Sequence, residues 1–243
     1  MGATANQEHF IVVFPQGALD NASPPKTSWN AGIGAYGPTG LADDVQFTRD
    51  MISYLQKNYC IDSHRIYVTG YSIGASMAYR VACTLTNQIA GLATVEAAFY
   101  HFDNGCNASR PLPFLDIHGL ADQNAPYNGS ESMDFLSIPK VLNLWFAVDQ
   151  CDTTNKQTIF QQADVTGYKW ASCANGTMVE QYIVSDGGLI DQILAIRHIQ
   201  LMPMSLSGTS LNSLKVNQSE LFVKQFQHRT EKYMGSGVAL RMQ

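Results

Sequence analysis

Residues 70–74 read Gly-Tyr-Ser-Ile-Gly, which is a G-x-S-x-G pattern. The run 65–69 before it predicts a β-strand, and the run 75–85 after it predicts an α-helix. Between a strand and a helix, the pattern is typical of a tight turn that lifts a serine hydroxyl above a sheet, and its glycines remove side chains that would clash there. We therefore interpret Ser72 as the nucleophile of an acyl-transfer reaction. The alternative is a glycine-rich turn in which the serine is incidental.

The nucleophile needs an oxyanion donor and an acid, and the sequence offers a candidate for each. The helix N-terminus behind Ser72 favours developing negative charge, so the Ile73 N–H would point at the oxyanion. Residues 113–118 predict a strand, and Asp122 follows it in a loop, 50 positions after the serine (122 − 72). Asp122 could reach a histidine from there, or it could only cap a turn. We interpret His118, which precedes this acid in the chain, as a structural histidine at a strand end.

Strands alternate with helices through the first 188 residues, which predicts an α/β fold with a parallel sheet flanked by helices. Further strands are predicted over 10–14, 91–98 and 177–184, and helices over 41–59 and 138–148. The loop 18–40 contains Trp29, and long loops often carry function. Beyond Gly188 the periodic pattern is lost. We therefore divide the chain into a domain over 1–188 and a divergent tail over 189–243.

Composition narrows the classes of function. The chain has 243 residues, of which 45% are hydrophobic and 14% charged, as expected of a globular protein. Its net charge is −5 and its lysines and arginines form no patch, so nucleic acid and anionic membranes are not expected partners. No apolar run is long enough to span a bilayer.

Cysteines and glycosylation sequons bear on metal binding and localisation. The five cysteines match no zinc pattern, and we expect no metal or organic cofactor. Five N-x-[ST] sequons together with the cysteines favour the secretory pathway. The first ten residues, MGATANQEHF, nevertheless lack the basic and apolar regions of a signal peptide.

One ordered set of stretches carries a family resemblance: FIVVFPQG (10–17), SWNAG (28–32), DDVQF (43–47), IDSHRIYVTGYSIGASMAYRVAC (61–83), CNASRPLPFLDIHGLADQNAPYNG (106–129) and, weakly, SDGG (185–188). In these the chain resembles the secreted esterases of the polyhydroxybutyrate-depolymerase and feruloyl-esterase type, α/β-hydrolases that include acetylxylan esterases. The resemblance implies that Ser72 is the nucleophile and Asp122 the acid. It also implies substrate binding at Trp29 and Tyr71, an extracellular location, and disulfides, of which Cys151–Cys173 is our expectation.

The same resemblance implies two features that this chain does not have at the expected places. The family's SDGG loop continues with the histidine that acts as the general base, whereas position 189 is Leu189. His198 follows the acid in chain order and is our candidate base, provided that the preceding segment folds back over Ser72. The family also carries a His-Gly oxyanion loop on strands that would precede Phe10. We therefore expect a fold that is incomplete on its N-terminal side.

The predicted function is hydrolysis of carboxylic esters by a Ser-His-Asp acyl-enzyme mechanism. The expected substrates are feruloyl or acetyl esters of plant polysaccharide, or polyhydroxyalkanoate-type polyesters. The first alternative is an inactive remnant or a carbohydrate-binding protein, because a serine hydroxyl without a base is a poor nucleophile. A second alternative is a serine peptidase or a relative of dienelactone hydrolases. The sequence leaves open the acyl group, the alcohol and the oligomeric state.

Overall fold

The computed structural model of the chain describes residues 10–19, 25–32, 42–101, 105–185 and 238–242. Within them, eight strands form the main sheet: β1 (Ile11–Val13), β4 (Ile66–Tyr71), β5 (Gly91–Val95), β7 (Phe114–Gly119), β9 (Lys156–Gln162), β10 (Val165–Trp170), β11 (Val179–Val184) and β12 (Val238–Met242). Two small sheets pair β2 (Ala18–Leu19) with β3 (Thr27–Ser28), and β6 (Phe99–Tyr100) with β8 (Phe135–Leu136). The helices are α1 (Asp44–Asn58), α2 (Ile73–Thr84) and α3 (Ile138–Asp149), with 3₁₀ turns at Thr86–Gln88 and Ala174–Gly176.

The order of strands in the main sheet is β1-β12-β4-β5-β7-β11-β10-β9. Strands β4, β5, β7 and β11 run parallel to one another, while β12 pairs antiparallel with β1 and β4, and β10 pairs antiparallel with β9 and β11. This mostly parallel sheet with accompanying helices confirms the predicted fold class. Because the carboxyl ends of parallel strands meet at one edge, the loops after β4, β5 and β7 lie side by side.

The helix that follows Ser72 is held by the core rather than by its own capping. Nine of the twelve residues of α2 are buried, and no side chain caps its first turn. Tyr79 packs edge-on against Phe99 at 4.8 Å between ring centroids, and against Trp145 of α3 at 5.5 Å. Burial of these large rings is the main stabilising contribution here. The position of Ser72 is thereby tied to the protein interior.

The loop that contains Trp29 is fastened to two helices by polar contacts. The Asn30 N–H donates to Asp44 Oδ2 at 2.7 Å, and the Asn30 side chain donates to the Ala42 carbonyl oxygen at 3.0 Å. Arg80 of α2 donates to both the carbonyl oxygen and the amide oxygen of Asn30. These contacts join the loop to the beginning of α1 and to the exposed side of α2.

Two disulfides are present. Cys151–Cys173 confirms the predicted bridge, and Cys83–Cys106 links the end of α2 to the segment before β7. Cys60 is free and exposed. No helix in the part of the chain that the structure describes is long and apolar enough to cross a membrane.

The sequence missed the β9–β10 hairpin and β12. Strand β9 is mostly exposed and polar, so it lacks the alternation that marks a half-buried strand. Strand β12 lies in the predicted tail, yet it pairs with both β1 and β4 in the same sheet. The predicted domain boundary after residue 188 lies outside the described residues and stays a prediction.

Candidate active site

Ser72 sits at the turn between β4 and α2 in a strained backbone conformation, with φ 53° and ψ −128°. Its N–H donates to the Val95 carbonyl oxygen at 2.9 Å, so the neighbouring strand holds the turn. A Cβ on Gly70 would lie 2.3 Å from the backbone carbon and oxygen of Gly74, which explains the first glycine of the pattern. Such strain on a non-glycine residue costs about 1–3 kcal/mol and is concentrated at functional sites. The turn therefore has the geometry of a nucleophile elbow.

Ile73 is the first residue of α2, so its N–H has no acceptor within the helix. The Ser72 carbonyl oxygen instead accepts from Ala75 at 2.9 Å and from Ser76 at 3.1 Å, which starts the helix directly behind the serine. The positive end of the helix dipole thus lies at the hydroxyl. This arrangement suits an N–H donor to an oxyanion, and the role of Ile73 stays a prediction.

Asp122 lies just beyond the carboxyl end of β7 and is buried. Its Oδ1 accepts from the N–H groups of Asn124 at 2.8 Å and Ala125 at 3.0 Å. Its Oδ2 is also buried and finds no hydrogen-bond partner among the described residues. One oxygen therefore fixes the carboxylate, and the other is available to accept from an imidazole N–H. The turn-capping role and the catalytic role are compatible, because they use different oxygens.

The buried histidine beside Asp122 is held by another group. His118 Nε2 lies 2.7 Å from the Ala125 carbonyl oxygen and 4.0 Å from Asp122 Oδ2. Because a carbonyl only accepts, Nε2 carries the proton and donates to it. This contact braces the turn that carries the carboxylate, as expected of a structural histidine.

No histidine of the described ranges makes a hydrogen bond to Ser72. His64 is exposed and pairs with Asp62 at 3.4 Å, and His101 pairs with Asp134 at 2.7 Å. The candidate base His198, and position 189 where the resemblance expects the base, both lie outside the described residues. His198 stays a prediction.

A second carboxyl group, Glu96, joins the site at the end of β5, between Ser72 and Asp122. It is 1% exposed, and burial together with the Asp122 charge raises its pKa to about 8, against a hydrogen bond from Tyr71 that lowers it. Burial, followed by the charge of Glu96, likewise raises the pKa of the Tyr71 phenol. The predicted strand 91–98 contained Glu96 and so gave no sign of a site residue there, whereas the observed strand β5 ends at Val95.

The two predicted substrate-binding residues have different surroundings. Tyr71 precedes the nucleophile and lies with Glu96 and Asp122 at the edge of the sheet. Trp29 exposes only 1% of its surface and packs in the core, where a Cβ on Gly17 would approach its ring to 3.2 Å. The observed packing gives the Trp29 ring a structural part in holding its loop. Substrate binding at either residue stays a prediction.

A buried polar row lies in the sheet below the acidic residues. Thr94, Asp116 and Gln181 stand in register on the adjacent parallel strands β5, β7 and β11. Thr94 Oγ1 donates to Asp116 Oδ1 at 2.8 Å, and Gln181 Nε2 donates to the Tyr127 hydroxyl at 3.3 Å. Burial raises the pKa of Asp116. A row of polar partners inside a sheet fixes the register of the strands, and with it the positions of Glu96 and Asp122.

A family model described as Phospholipase/Carboxylesterase matches residues 39–138, which include the elbow and Asp122. The fold and the turn at Ser72 together define the class of fold, which is that of the α/β-hydrolases.

The chain is similar in sequence to feruloyl and acetylxylan esterases. Feruloyl esterase B of Piromyces equi is 30% identical over 189 residues, which cover 73% of this chain and 33% of the relative. A bifunctional acetylxylan esterase/xylanase of Neocallimastix patriciarum is 24% identical, covering 72% of this chain and 23% of the relative. A probable feruloyl esterase C of Aspergillus clavatus is 30% identical, covering 36% of this chain and 31% of the relative.

These matches each span about a third or less of the relative's own length. Among solved structures, an acetyl xylan esterase from Aspergillus awamori aligns with 60% of this chain and 61% of its own, at a TM-score of 0.44 and 16% identity. That structural likeness is too distant to add to the assignment.

Proposed function

We propose that the chain hydrolyses carboxylic esters through an acyl-enzyme formed on Ser72. The observation that carries the proposal is the strained elbow itself, which holds Ser72 at φ 53° between β4 and the first turn of α2. Asp122 supports it, because a buried carboxylate with one fixed and one available oxygen suits the acid of a triad.

The proposed reaction uses the residues in fixed roles. Ser72 Oγ attacks the ester carbonyl carbon while a histidine, for which His198 is the candidate, takes the hydroxyl proton. The tetrahedral oxyanion accepts a hydrogen bond from the Ile73 N–H. The histidine returns the proton to the leaving alcohol, water then hydrolyses the acyl-enzyme, and Asp122 holds the imidazole throughout.

The proposed substrates are feruloyl or acetyl esters of plant polysaccharide, because the relatives are described as feruloyl and acetylxylan esterases. Polyhydroxyalkanoate-type polyesters are a less supported option, which rests on the resemblance alone. The two disulfides agree with an extracellular location, since such bonds persist in oxidising compartments.

A second candidate function is carbohydrate binding without turnover. The observation that favours it is that Ser72 has no histidine partner within the described ranges. In that case the protein would bind a feruloylated oligosaccharide and leave its ester bond intact.

Labelling with a fluorophosphonate probe tests the reaction class, because the probe reacts only with an activated serine. We expect the label on the peptide that contains Ser72, and hydrolysis of methyl ferulate and of acetylated xylan. Ser72→Ala should abolish both readouts, and Asp122→Asn should lower hydrolysis by about 10³–10⁴-fold. Lack of labelling of the folded wild-type protein, together with binding of intact feruloylated oligosaccharide, would establish the second candidate instead.

The base is tested separately with His198→Gln. If His198 is the base, hydrolysis falls by about 10³-fold or more while the far-UV spectrum is unchanged. The matched control is His64→Gln, because His64 is 93% exposed and lies at the surface beside Asp62. Full activity of His198→Gln in a protein that still labels at Ser72 would remove His198 from the mechanism.

A further inference from the structure

Glu96 lies at a strand end whose backbone is hydrogen-bonded to Ser72 on one side and to β7, the strand before Asp122, on the other. The residue before it, Val95, accepts from the Ser72 N–H at 2.9 Å, and its own N–H donates to the Ile117 carbonyl oxygen of β7 at 2.9 Å. Its φ of 51° is in the left-handed region, as is that of Ser72. Two residues with positive φ at the ends of adjacent, hydrogen-bonded strands are typical of a functional site.

The side chain of Glu96 is buried at a place where an ionised carboxyl group is unfavourable, because it is removed from water. It is 1% exposed, and neither carboxyl oxygen finds a hydrogen-bond partner among the described residues. The titratable groups that act on it are Tyr71, from the end of β4, and Asp122, from the loop after β7. Asp122 in turn lies 4.0 Å from His118 Nε2. An apolar residue would fill this position at lower cost unless the carboxyl group were used.

We propose that Glu96 is a positioning residue of the site, whose buried carboxyl group, beside Tyr71, joins the nucleophile elbow to the loop that carries Asp122. The proposal deepens the ester-hydrolase function and rests on it for its effect on the reaction rate. A Ser-His-Asp mechanism uses Ser72 and Asp122 and needs no further acid. The proposal gives a role to Glu96, the buried acid that stands between them.

Ionisation of Glu96 has a defined consequence for the reaction. While Glu96 is neutral, Asp122 carries the single negative charge among Tyr71, Glu96 and Asp122. Loss of the Glu96 proton adds a second negative charge near the place where the oxyanion develops, and like charges repel more strongly in a partly buried site. Reactivity of Ser72 should therefore fall as the pH rises through the pKa of about 8.

The placement of Glu96 can be measured without any activity, by following the carboxyl carbons of ¹³C-glutamate-labelled protein from pH 4 to pH 10. Glu96→Gln assigns the signal. We expect a midpoint near pH 8, a lower midpoint in Asp122→Asn because a repelling charge is gone, and a higher one in Tyr71→Phe because a hydrogen bond to the carboxylate is gone. A midpoint near 4.5, or one that neither substitution moves, would overturn the proposal.

The effect on the reaction is measured as the rate of fluorophosphonate labelling of Ser72 at pH 6.5 and pH 9. The ratio of the rate at pH 9 to that at pH 6.5 should be about fivefold lower in wild type than in Glu96→Gln. Glu131→Gln, at an exposed residue in the loop before β8, is the matched control and should behave as wild type. Equal ratios in wild type and Glu96→Gln would overturn the positioning role. If Ser72 is never labelled, the ester-hydrolase proposal fails. The ¹³C titration still tests whether Glu96 is placed beside Tyr71 and Asp122 as proposed.

Discussion

The amide nitrogen of Ser72 lies 2.9 Å from the carbonyl oxygen of Val95, so the pairing of β4 with β5 continues into the turn that carries this serine. The sheet therefore holds the strained serine on one side, while the buried helix α2 holds it on the other. A nucleophile fixed in this way needs no movement of its own backbone during attack, which is how rigid positioning contributes to catalysis.

The strain at Ser72 predicts a difference in the free energy of unfolding between two variants that both lose the hydroxyl. Ser72→Gly relieves the strain at φ 53°, whereas Ser72→Ala keeps it. We expect the glycine variant to have the higher free energy of unfolding, by about 1 kcal/mol, after the larger entropy loss of glycine is subtracted. Urea denaturation measures this difference. A more stable alanine variant would show that the turn is not strained.

The burial of Asp149 at the end of α3 predicts that the free energy of unfolding depends on pH. This dependence does not involve the candidate active site. It is fully buried, its Oδ1 accepts from the Leu112 N–H at 2.8 Å, and burial raises its pKa to about 7 against that hydrogen bond. Between about pH 4 and pH 7 the folded protein keeps a proton that the unfolded chain releases. The free energy of unfolding should therefore decrease as the pH rises through this range.

Asp149→Asn removes this titration while keeping an oxygen acceptor for Leu112. The free energy of unfolding, measured in urea from pH 4.5 to pH 8, should vary less steeply with pH than in wild type. Asp50→Asn, on the exposed face of α1, is the matched control. An unchanged slope in Asp149→Asn would mean that this carboxyl group is already ionised in the folded protein at low pH.

Each disulfide should contribute about 3 kcal/mol, because the bridged residues are 23 and 22 positions apart. Cys151→Ser with Cys173→Ser should lower the free energy of unfolding by about that amount, as should Cys83→Ser with Cys106→Ser. Cys60→Ser should change it little, since this thiol is free and exposed. Urea denaturation of the three variants checks the prediction, and an equal loss in Cys60→Ser would contradict it.

Strand β12 lies directly beside the strand that carries the elbow, with Leu240 opposite Val68 on one side and Val13 on the other. Proline at an interior strand position removes a backbone donor from the sheet. Leu240→Pro should therefore lower the free energy of unfolding by about 2 kcal/mol or more and reduce labelling of Ser72. Leu240→Val keeps the donor and is the control. Indistinguishable unfolding of the two variants would show that the pairing of β12 does not stabilise the sheet.

Local stereochemistry let the sequence alone predict the turn at Ser72 and propose Asp122 as the candidate acid. A turn that needs Gly70, a serine before a helix and an acid after an apolar strand are patterns of a few neighbouring residues, and alternating strands and helices give the fold class. Cys151–Cys173 followed from the family resemblance.

Only the tertiary structure decided the features that depend on distant parts of the chain. It buried Trp29, paired Cys83 with Cys106 and inserted β12 between β1 and β4. It also brought Glu96 to the same edge as Ser72 and Asp122. None of these has a local signal of its own, because each is fixed by contacts between segments whose separation in sequence says nothing about their distance in space.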